Sequence, residues 1–121
     1  LMALDERIYA AAPGCYLTTF ARLLESSGPQ DAEQNIFAQL GFGMDEADYC
    51  IMRAPKPTLI IAGTRDATFD FGGTWDLFRD AKRFYSRLGF ADRLLDRIQS
   101  MGRKRAPDCS IATGKMTHYP I

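Results

Sequence analysis

Along this chain the spacing of apolar positions changes several times, and each change marks a predicted element. Pro57-Thr58-Leu59-Ile60-Ile61-Ala62 is a continuous apolar run that leads into Gly63, the pattern of a strand buried on both faces of a parallel sheet. Ile8-Tyr9-Ala10-Ala11-Ala12 repeats that character on a smaller scale before Pro13-Gly14, so a short buried strand is predicted there too. Between them the period lengthens. Phe20, Leu23 and Leu24 fall at helical spacing within 16–27, and Gly28-Pro29 closes that stretch. Asp31 with Gln34 three residues on has the pattern of a capping box. A second helix is therefore expected, with Ile36, Phe37 and Leu40 on its apolar face and Gly41 just past its end. A short helix is predicted over 45–52, and residues 1–4 read as the last turn of another.

The strongest helical pattern opens at Gly72-Gly73-Thr74. Trp75, Phe78, Ala81, Lys82, Tyr85 and Leu88 share one face, with Lys82 able to bury its stem and Gly89 placed to stop the helix. Beyond Arg93 the pattern loosens. Leu94, Leu95 and Ile98 could prolong a helix, and 101–121 shows no steady period. Strand, helices, strand, helix with little hairpin chemistry predicts an α/β fold with parallel strands and flanking helices. Two parallel strands cannot cover their own faces and edges, so the expected sheet is incomplete, part of a larger one. The expected organisation is an α/β unit over 1–93 and a divergent or non-native tail over 94–121.

Composition narrows the function classes. At 121 residues the chain fits one domain, and 46% hydrophobic with 25% charged residues predicts a folded protein. Lys+Arg and Asp+Glu both number 15, which gives no electrostatic case for nucleic acid or a membrane surface as partner. Arg93, Arg97, Arg103, Lys104 and Arg105 form a loose basic cluster without an aromatic platform, read as a solvated face. No apolar run approaches the ~20 residues of a membrane span. Leu1 stands where an initiator Met would, and no signal region follows, so an upstream start is expected and the compartment stays open. Cys15, Cys50 and Cys109 lack C-x-x-C spacing, which gives no case for zinc and reads as free thiols.

The candidate chemistry gathers after the second strand. Asp66 in Gly63-Thr64-Arg65-Asp66 stands at a carboxyl end, where parallel sheets keep their sites. Two readings are open: an acid that orients a base, or an acid that bonds the amides of its own turn. Asp70 is the competing acid. His118, in Met116-Thr117-His118-Tyr119-Pro120, is the only histidine; it is either the base or an exposed residue near a terminus. Ser26, Ser27, Ser86, Ser100 and Ser110 all lack a G-x-S-x-G context. Cys15 is read as a small core residue before a nucleophile, and Trp75 as sheet packing before a pocket wall. Asp45-Glu46-Ala47-Asp48 spells a nucleotide-hydrolysis box, but Gly41-Phe42-Gly43-Met44 precedes it in place of an apolar strand.

Several long segments carry a resemblance. They are Met2-Ala3-Leu4-Asp5-Glu6-Arg7-Ile8, Ala11-Ala12-Pro13-Gly14-Cys15-Tyr16-Leu17-Thr18, Gly28-Pro29-Gln30-Asp31-Ala32-Glu33-Gln34-Asn35-Ile36 and Arg53-Ala54-Pro55-Lys56-Pro57-Thr58-Leu59-Ile60. With Gly63-Thr64-Arg65-Asp66, Gly73-Thr74-Trp75 and Phe78-Arg79-Asp80-Ala81-Lys82-Arg83-Phe84-Tyr85, they resemble bacterial α/β-hydrolases of the acetylxylan esterase-like and prolyl-oligopeptidase-like serine hydrolase group. The resemblance covers about 1–93. It implies a partial α/β-hydrolase fold, a serine elbow just before Leu1, Asp66 as the acid of a Ser-acid-His triad, and no cofactor or metal. It implies a small ester or carbohydrate-ester substrate for the full-length enzyme, and an inactive chain where the serine is missing. The family's histidine belongs near Met101-Gly102-Arg103, and His118 is the late candidate for that role. The alternative is a non-catalytic binding or assembly module built on the same half-fold.

Overall fold

The computed structural model describes residues 1–26 and 36–99. The element order is α1 (Phe20–Glu25), α2 (Glu46–Met52), β1 (Thr58–Gly63), α3 (Phe71–Arg87) and β2 (Leu94–Gln99), with short 3-10 turns at Gln39–Phe42 and Ala91–Arg93. β1 and β2 pair in parallel, with Thr58 opposite Leu94 and Gly63 opposite Gln99. β2 corrects the expected helical extension: Leu94, Leu95 and Ile98 lie on a strand, so the sheet continues past Arg93.

Residues 8–14 run along the other edge of β1 as a broken third strand. Ala11 pairs with Thr58 and Gly14 with Ile61, both in parallel. The amides of Ala11 and Cys15 donate to Pro57 O at 3.2 Å and Ile61 O at 2.8 Å. The bond between those two would need an N–H on Pro13, which proline lacks. That one missing donor reduces a strand to two bridges. The element is where the sequence puts it, but the expected burial is corrected. Tyr9 is 71% exposed and Ala10 and Ala12 are exposed too, because these residues lie at the edge of the described sheet.

α3 forms because its apolar residues return every three or four positions and both ends are capped. Asp70 Oδ2 accepts from the Gly73 amide at 3.0 Å, and Gly89, at φ 82°, turns the chain away after Leu88. Leu77, Phe78, Ala81 and Tyr85 on its inner face pack with Ile60, Leu94, Leu17 and Cys50 to make the core. α2 starts where the sequence predicts. Asp45 and Asp48 form its capping box, and Cys50 is fully buried. Lys82 buries part of its stem and donates from Nζ to Ala91 O at 2.6 Å and Leu94 O at 2.7 Å, which ties α3 to the start of β2. α1 is shorter than expected because Thr19 caps it, accepting from the Arg22 amide.

The helix predicted over residues 31–40 is corrected in its described part. Ala38 adopts a left-handed backbone at φ 60°, and Ile36, Phe37 and Leu40 are exposed. Asp31 and Gln34 lie outside the described residues. Residues 1–4 form the expected turn, with the amides of Leu4 and Asp5 both donating to Leu1 O at 3.0 Å.

Arg53 fastens the amino-terminal turn to the sheet. It is 2% exposed, donating to Thr58 Oγ1 and to the carbonyls of Met2, Tyr9 and Pro57. Neutral dipoles, rather than a carboxylate, solvate this buried cation.

Candidate active site

The parallel strands aim their carboxyl ends at one region, where the turns at residues 14–16 and 63–69 lie beside the end of β2. Asp66 stands in the second. Its Oδ1 accepts from the amides of Thr68 at 3.0 Å and Phe69 at 2.9 Å, and its own amide donates to Gly63 O at 3.3 Å. The carboxylate is thus fixed by the turn that follows it. Oδ2 bonds no group among the described residues. The two readings of Asp66 are therefore compatible: one oxygen holds the turn, and the other is left for an incoming donor.

Asp70 has a different task. Its Oδ2 caps α3, and its carbonyl accepts from the Thr74 amide at 3.0 Å and from Thr18 Oγ1 at 3.2 Å. Arg22 Nε lies 3.7 Å from Oδ2 in an exposed pair, worth little in water. Its side chain serves the helix start.

Cys15 lies at the carboxyl end of the first segment, exposed, with a left-handed backbone at φ 49°. The expectation of a small core residue is corrected by that exposure. Cys50 is the buried thiol. Burial pushes it up to about 12, with Glu46 acting in the same direction and Arg53 against it. It stays a thiol at neutral pH. Trp75 is 40% exposed, stacks on Phe78 at 5.7 Å and lies beside Asp96, Arg97 and Ile98 of β2. Ser26 Oγ donates to Leu23 O at 2.7 Å, and Ser86 lies on α3. Neither stands at a strand end. His118, Cys109 and the 101–103 segment lie outside the described residues.

Two features of the site were not legible in the sequence. The Tyr16 and Phe69 rings pack at 5.5 Å with their planes 31° apart, joining the first turn to the second. Glu46, 5% exposed, accepts from the Thr18 amide at 2.9 Å and so holds residues 17–20 from below. Contacts between positions 28 or 53 residues apart leave no trace in local spacing.

Parallel strands with flanking helices on one side form a partial α/β fold with an incomplete sheet. A glucuronoyl esterase of carbohydrate esterase family 15 from Caldicellulosiruptor kristjansonii shares it, at a TM-score of 0.60 and 19% identity over 83% of this chain and 33% of that one. The chain thus spans about a third of that protein's length. No family model and no curated protein matches the sequence.

Proposed function

We propose that this chain is the acid-bearing part of a serine ester hydrolase acting on carbohydrate esters, of the acetylxylan esterase-like kind. The observation that carries the reading is the carboxylate of Asp66. It sits at the end of β1 with Oδ1 tied to the Thr68 and Phe69 amides and Oδ2 open among the described residues. The esterase neighbour supports the same class.

In the reaction a serine attacks the acyl carbon, and a histidine takes its proton and returns it to the leaving alcohol. Asp66 Oδ2 accepts the other imidazole N–H, fixing the tautomer and stabilising the imidazolium. The two amides at Oδ1 set the carboxylate plane before the histidine arrives, so no reorganisation accompanies proton transfer. His118 is the base if this chain supplies one, since no other histidine occurs in the sequence. The serine comes from outside these residues, and the chain alone is inactive. No metal or cofactor enters this route.

A fluorophosphonate probe tests the reading, applied to the chain alone and to the longer polypeptide read through its flanking DNA. Label and 4-nitrophenyl acetate turnover are expected on the longer species only. A chain that is labelled and turns over ester by itself removes the proposal.

The second reading, a binding or assembly module on the same half-fold, has its own observation. Leu59 and Leu95 line an open groove of about 510 Å³ on the sheet face opposite α3. A monodisperse, cooperatively melting chain without a Ser-bearing frame around it favours that reading. An aggregating chain favours the hydrolase part.

A further inference from the structure

We propose that Tyr16 and Phe69 form a shelf on which a sugar ring of the substrate stacks, beside Asp66. The inference deepens the ester-hydrolase reading and rests on it for the identity of the ligand. The two aromatic residues come from different turns at the carboxyl ends of neighbouring parallel segments, the region where α/β sheets bind ligands. Their rings meet at 5.5 Å, 31° from parallel, and both are partly exposed. Sugar rings carry an axial C–H face that packs on aromatic faces, while their hydroxyls stay in water or reach polar groups. The amide of Phe69 is itself one of the two donors to Asp66 Oδ1, so shelf and acid share one turn.

The support beneath the shelf is the second observation. Residues 17–20 are fastened from two sides. The Thr18 amide donates to Glu46 Oε2 and the Phe20 amide to Asp45 Oδ1, both at 2.9 Å. Thr74 Oγ1 donates to Leu17 O at 2.6 Å, and Thr18 Oγ1 to Asp70 O at 3.2 Å. Gly73 lets the strap lie directly on α3, because a Cβ there would come within 2.2 Å of Thr18 Oγ1. The buried Glu46 carboxylate, accepting from the Thr18 amide, helps to fix one conformation of this strap. The conformation specified here places Tyr16 against Phe69. The other aromatic pair, Trp75 and Phe78, has its inner ring committed to the core and lies along β2.

The test is a titration with xylotetraose, followed by amide NMR, of the longer polypeptide read through the flanking DNA. Shifts are expected at Tyr16, Thr68 and Phe69. Tyr16→Ala should weaken binding about tenfold, the scale of one aromatic stacking contact, and Tyr16→Phe should bind within about twofold of the parent. Phe84→Ala, an exposed aromatic on α3, should bind as the parent does. Unchanged α3 amide shifts in Tyr16→Ala exclude unfolding as the cause of a loss. Shifts confined to other residues, no shifts at all, or undiminished binding by Tyr16→Ala would overturn the shelf. The readout involves no hydrolysis. A lost shelf leaves the role of Asp66 to its own assay, and a silent Asp66 assay leaves a bound sugar in place.

Discussion

The two faces of β1 carry equally apolar residues and have different surroundings. Ile60 and Ala62 are 1% and 6% exposed beneath α3. Leu59 and Ile61, one residue out of phase, are half-buried, and Leu59 lines an open groove. No helix among the described residues covers that second face. A strand apolar on both sides is suited to a sheet covered on both sides, so the difference measures how much of the sandwich these residues build. The packed face is where these residues bury their apolar side chains. The open face is where a larger domain would add to that burial.

The largest expected effect comes from testing that contrast directly. Ile60→Ala should cost about 4 kcal/mol, the range for a truncated core residue, and Leu59→Ala about 1 kcal/mol, both read from urea midpoints. Equal losses would mean that the second face is also packed in solution.

Next in size is an alkaline loss from the packed side. Cys50 holds its proton in the fold up to about 12, mainly through burial, against an ordinary value of 9.0. Above pH 9 the unfolded chain releases that proton and the folded chain keeps it, so stability falls as pH rises. The slope approaches about 1.4 kcal/mol per pH unit. Tyr85, raised by burial, adds to the loss above pH 10. Lys82, lowered by burial, works in the opposite direction as pH approaches 10.5. Midpoints from pH 8 to 11 should therefore fall, and Cys50→Ala should remove most of the decline between pH 9 and 10. A flat profile in the parent chain would break the account of this face.

The smallest of the three lies at the junction of strap and helix. Alanine is the better helix former, yet its Cβ at position 73 would meet Thr18 Oγ1 at 2.2 Å and Arg22 Cγ at 2.9 Å. Gly73→Ala should lose about 2 kcal/mol net. Gly41→Ala, with open space around its Cβ, should not.

What could be read from sequence follows the same division. β1, α2 and α3 were legible because periodicity, caps and stops agree within each segment, and their burial lies on the packed side. Leu94-Leu95-Asp96-Arg97-Ile98-Gln99 was not. Its apolar residues fit a helix as well as a strand, and only pairing with β1 decides between them. Ile36, Phe37 and Leu40 have helical spacing, but the left-handed turn at Ala38 overrides it. Asp66 stood out in the sequence as a candidate because a strand, a glycine and an acid are adjacent. The Glu46 support and the Tyr16–Phe69 contact did not, being made by the fold rather than by neighbours in sequence.

The central proposal is that Asp66, and not Asp70, would be the acid of an ester hydrolase. The most direct measurement is kcat/KM on 4-nitrophenyl acetate for the longer polypeptide read through the flanking DNA, if it bears the serine, as Asp66→Asn and as Asp70→Asn. The account predicts a loss of roughly 10³–10⁴ for Asp66→Asn, through the wrong imidazole tautomer. For Asp70→Asn, which keeps an oxygen to cap α3, it predicts a change within about threefold. Full activity in Asp66→Asn, or a collapse confined to Asp70→Asn, would contradict it.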